Sequence, residues 1–85
     1  MKKTKKTAEG TRLDQQESAI LEVTELVCQL MHEQDVTRPE LARRLGRTEG
    51  YVTRFLDGRA NMTVRTISDV FAAFDRTVHF YSQFR

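Results

Sequence analysis

The chain has 85 residues, a net charge of +2 and one cysteine. A chain this short makes one domain, buries only about 60% of its unfolded surface, and gains from association with a second copy. The lone Cys28 excludes an internal disulfide and suits a reducing, cytoplasmic compartment, while the lack of an apolar run of about 18–20 residues excludes a membrane span.

The start, MKKTKKTAEGTR, has no apolar periodicity and lacks the apolar segment of a signal peptide. Residues 1–12 are expected to be a disordered basic arm, either a solubilising tail or a segment that follows a phosphate backbone. Four Lys and Arg12 against Glu9 give this arm +4. Residues 13–36 hold six acids and no Lys or Arg, and residues 37–65 hold seven Arg against three acids. A basic arm and a basic central block, separated by an acidic segment, suit a molecule with one face for a polyanion.

The folded domain is expected over 13–85. Ala19, Ile20, Val23, Leu26, Val27, Leu30 and Met31 recur at spacings of three and four, which predicts a long amphipathic helix over about 14–34. Leu21 and Cys28 flank that stripe and widen its apolar surface. Glu22 and Glu25 read as a solvated face, since no nucleophile or metal partner stands near them. The acidic side repels a polyanion and should point away from it.

Thr37 and Glu40 match a capping box, Val36 and Leu41 the hydrophobic staple across it, and Pro39 falls in the first turn. A second helix is therefore expected over 38–45. Leu41, Ala42 and Leu45 face inward, and Arg43 and Arg44 outward. Gly46 suits a left-handed helix end, and Thr48 caps a third helix over about 49–57. Val52, Phe55 and Leu56 are its buried side. Two short helices joined by a tight turn form the unit that places one helix in the major groove of DNA.

Met62 and Ile67 bracket a cap at Thr63, and Val64, Ile67, Val70, Phe71 and Phe74 make one face of a fourth helix over about 64–74. Period-two alternation then predicts a strand over about 77–82. A lone strand leaves unpaired backbone groups, so it needs a second subunit or another protein. Thr77, Val78, His79, Phe80 and Tyr81, with Leu21 and Cys28, are the candidate dimer surface. His32 and His79 stand far apart without other ligands at metal spacing, and the chain has neither a phosphate loop nor a nucleophile motif. No metal, no cofactor and no catalysis are expected.

On Thr37, Leu41-Ala42, Gly46, Thr48, Val52 and Phe55, the chain resembles the Cro/repressor (Xre-type) helix-turn-helix family over about residues 26–81. The run Asn61–Ile67 resembles a subgroup that ends in a short strand and includes HigA-like antitoxins and small phage or plasmid regulators. The resemblance implies a mainly α, four-helix lambda-repressor-like domain with a long first helix and a short C-terminal β-strand used in dimerisation. It implies a homodimeric repressor on a pseudo-palindromic operator. The alternative it implies is an antitoxin that binds a toxin protein and represses its own operon.

Carried onto this chain, the resemblance makes Glu49, Gly50, Thr53 and Arg54 the base readers. Arg38, Arg47, Thr48, Tyr51, Arg59 and Asn61 become backbone contacts. Arg47 departs from the small apolar residue many relatives place in the turn. Glu49 and Gly50 make a sparse reading edge, which shifts weight to DNA shape.

Overall fold

The structure, a computed structural model, describes residues 8–84. It is mainly helical, with α1 over Ala8–Gln34, α2 over Arg38–Leu45, α3 over Glu49–Leu56 and α4 over Val64–Ala72. Residues 1–7 of the expected arm lie outside the described residues. The rest of that arm is helical, because α1 starts at Ala8 rather than near residue 14. Extending a helix by its own backbone bonds needs no apolar stripe, so periodicity is blind to such a start.

Three threonine caps fix where the short helices begin. Each adopts an extended backbone and accepts from the amide three residues on: Thr37 from Glu40 at 3.3 Å, Thr48 from Tyr51 at 3.0 Å, Thr63 from Thr66 at 3.1 Å. The Thr37 capping box is only half made. The Glu40 carboxylate turns to the guanidinium groups of Arg43 and Arg44, whose charge-assisted bonds outcompete a neutral amide.

Gly46 ends α2 at φ 67, and the next amide, Arg47 N–H, donates back to Ala42 O at 2.9 Å. Asp35 and Asp75 take the same left-handed conformation after α1 and α4. The carbonyls beyond α4 are capped from afar. Arg44 Nη1 donates to Ala73 O at 2.9 Å, and Gln34 Nε2 to Phe74 O at 3.1 Å.

The core is Val27, Leu30, Val36, Leu41, Ala42, Val52, Phe55, Val70, Phe71 and Phe74, contributed by all four helices and the α1–α2 and α4 ends. Both staple residues, Val36 and Leu41, are buried in it. The buried stripe of α1 is rotated from the expected one. Thr24 is buried, its hydroxyl donating to Leu21 O at 3.0 Å, whereas Leu26 is 49% exposed and Ala19 is exposed. At 100° per residue, Thr24 lies closer to Val27 on the wheel than Leu26 does, and a threonine that bonds its own turn can enter a core. Val64, expected inward, is also exposed, since it sits in the first turn of α4 ahead of the packed part.

No strand forms among the described residues, so the one expected over 77–82 is absent. The segment after Arg76 runs beside α1 without a neighbouring strand, and a ladder needs two. Val78 alone of this segment packs against the core. Among the described residues no helix is long and apolar enough to cross a membrane.

Candidate nucleic-acid interface

The outer arc of α3 is built by its own periodicity. Val52 and Phe55 are 1% exposed, which turns Glu49, Gly50 and Arg54 outward and leaves Thr53 and Tyr51 on the two shoulders. Each shoulder receives an arginine from α2 or the turn after it. On one side Arg38 Nη1 donates to Thr53 Oγ1 at 3.0 Å. On the other the Arg47 guanidinium lies over the Tyr51 ring at 4.5 Å from its centroid, and that of Arg54 at 5.8 Å. Arg38, Thr53, Arg54, Tyr51 and Arg47 thus form a continuous band across α3, with Gly50 at its N-terminal end.

The arginines divide by partner. Arg43 and Arg44 share the Glu40 carboxylate, and Arg59 meets Asp57 at 3.0 Å. Bonds from Arg43, and secondarily Arg44, hold the Glu40 carboxyl below its ordinary range and raise Arg43 in turn. Arg38, Arg47 and Arg54 make no ion pair among the described residues and hold only a hydroxyl or a ring. Their charges are not neutralised, and they lie on the band. Among the described residues Arg65 on α4 and Arg76 beyond it are likewise outside the ion pairs, but neither bonds to α3.

Gly50 is a glycine the fold does not require. An added Cβ would meet only Thr48 Oγ1, at an ordinary 3.7 Å. A helix interior is more stable with alanine by roughly 0.5–1 kcal/mol, and Gly50, the second residue of α3, carries part of that cost. Its exposed position beside Arg54 leaves room for a surface that approaches the α3 backbone closely.

Of the residues expected at a DNA surface, Glu49, Gly50, Thr53, Arg54, Arg38, Arg47, Thr48 and Tyr51 gather on this face. Arg59 is tied to Asp57 beyond the C-terminal end of α3, and Asn61 is exposed in the following loop. The expected dimer residues do not form one surface. Leu21 lines a groove with Leu56, Asp57 and Gly58, and Cys28, seven residues on, shares its flank and is exposed. His79, Phe80 and Tyr81 lie by Glu22, on the other flank of α1. Sequence reading missed the structural use of Arg44, whose only local signal was its spacing from Glu40. Among the described residues no group of three or more His, Cys, Asp or Glu is placed to hold a metal. Compared with protein-family models, curated proteins and solved structures, the chain matches none, so its own geometry carries the functional reading.

Proposed function

We propose that the protein is a cytoplasmic, sequence-specific DNA-binding regulator, a repressor acting as a homodimer on a pseudo-palindromic operator. In this reading α2, the Gly46 turn and α3 are a helix-turn-helix of the Cro/repressor kind, and α3 lies in the major groove. The observation that carries it is the band of three arginines without carboxylate partners around an exposed helix whose N-terminal turn holds an unexplained glycine. Arg54 then pairs with a guanine edge, and Arg38 and Arg47 reach phosphates on either side. Thr53 accepts from Arg38 yet keeps its own hydroxyl proton for a base. Two copies set their α3 helices roughly 34 Å apart, one turn of DNA.

The test is titration of duplex DNA by fluorescence anisotropy at several salt concentrations. Affinity should fall with a log–log slope of about −0.9 per neutralised phosphate. Arg54→Ala should weaken binding while leaving thermal unfolding unchanged. A flat salt response removes the arginine band as a DNA surface.

A second reading is supported by exposed apolar side chains: Phe80 is 66%, Tyr81 88% and Phe84 102% exposed. Covered by another protein rather than a second copy, this tail fits an antitoxin whose acidic α1 faces a basic toxin. Co-expression with the product of the adjacent reading frame distinguishes the two. Stable co-purification favours the antitoxin, and a self-associating chain without it favours the simple regulator.

A further inference from the structure

We propose that Tyr51 is a positioning residue whose ring, not its hydroxyl, pre-orders Arg47 and Arg54 for DNA while leaving both at full charge; this rests on the DNA-binding reading above. The ring is itself held in place. Its centroid lies 6.5 Å from that of Phe55, which is 1% exposed, and Leu45, Thr66, Asp69 and Val70 line the same cleft as Tyr51 and Arg47. Arg47 comes from the turn after α2 and Arg54 from the next turn of α3, so one ring gathers guanidinium groups from two elements.

The alternative way to order an arginine is visible in the same molecule. Glu40 orders Arg43 and Arg44, and Asp57 orders Arg59, each by a carboxylate that cancels the charge a phosphate would use. An aromatic face restrains the side chain through its quadrupole and adds no negative charge. A restrained arginine loses less freedom when it meets its target, so ordering before binding raises affinity without a new contact.

Two measurements on the full chain test this. In the free protein, the δ-methylene protons of Arg47 and Arg54 should be shifted upfield by the Tyr51 ring current, kept in Tyr51→Phe and lost in Tyr51→Leu. In titrations with the wild-type operator duplex or, before an operator is found, a mixed-sequence duplex at low salt, Tyr51→Leu should bind about five- to ten-fold more weakly. Its salt slope should stay unchanged, because the same phosphates are still neutralised, whereas Arg47→Ala should lower the slope by about 0.9. Tyr51→Phe should restore most of the affinity lost in the leucine variant. Arg47→Ala should also cost less in the Tyr51→Leu background than alone. Equal losses in the phenylalanine and leucine variants, or wild-type binding without the ring-current shifts, would overturn the proposal and leave DNA binding intact. Wild type that shows the shifts but binds no duplex overturns the DNA reading, and the positioning role with it.

Discussion

Three glycines near α3 look alike in the sequence and do different work. Gly58 has φ +76, and a Cβ there would lie 2.9 Å from Ile20 Cγ2 of α1. Gly58→Ala combines a left-handed strain with a clash, and should destabilise the fold by about 2 kcal/mol or more in chemical denaturation. Gly46, at φ +67 with nothing within 4 Å of the added Cβ, carries the strain without the clash. Gly50 has neither, and Gly50→Ala should raise stability by a few tenths to about 1 kcal/mol. On the proposed reading the same substitution should weaken DNA binding several-fold. A gain in both stability and affinity would remove Gly50 from the interface. Chain order alone shows that a glycine stands at each position, but only packed neighbours separate a turn, a close approach and a vacancy.

At the scale of the element, α2 shows how one carboxylate organises a short helix. Glu40 sits in its first turn, where an acid favours the helix dipole, and collects both arginines of its last turn. The folded-state carboxyl is lowered from an ordinary value near 4.5, chiefly by the Arg43 bond. The sign follows from linkage: the carboxylate's contribution is present above the unfolded value and is lost as pH falls through the lowered folded value. The thermal midpoint should therefore fall on acidification below about pH 4.5, and Glu40→Gln should flatten part of that fall. Because the cluster is exposed, the effect should be small. An identical pH profile in the variant would show that Glu40 plays no part. Arg44 meanwhile spans to Ala73 O, so the same cluster ties α2 to the end of α4.

For the whole molecule, α1 separates two surfaces. Its buried stripe meets the core, one flank carries Leu21 beside the α3 end, and the other runs along the tail by Glu22 and Leu26. A proposed dimer built on residues 77–82 would supply the missing strand neighbour and cover Phe80, Tyr81 and Phe84. It would use the second flank and leave out the first. Sedimentation at rising concentration should show a monomer–dimer equilibrium that Phe80→Glu shifts to monomer and Leu21→Glu does not. The reverse result would move the seam to the flank of Leu21 and Cys28. On the proposed reading two half-sites bind together, so Phe80→Glu should also lower operator affinity without touching any arginine of the band.

The features legible in the sequence were those decided within four or five residues. Caps at Thr37, Thr48 and Thr63, the Val36–Leu41 pair in the core, the Gly46 turn and two of the three expected buried positions of α3 follow from local geometry and are present, while Leu56 is only half-buried. The partition of charge into acidic and basic segments was equally plain. What the long polar side chains reach across the fold was not, because that depends on partners brought in by folding. Arg38 meets Thr53 across 15 positions, Arg44 meets Ala73 across 29, and Gln34 meets Phe74 across 40. Periodicity chose Leu26 over Thr24 for the same reason, since it ranks residues by polarity while the core selects by angle and by hydrogen bonds already satisfied. Alternation in the tail shows that residues 77–82 can form a strand. Only a neighbour in space can make them one.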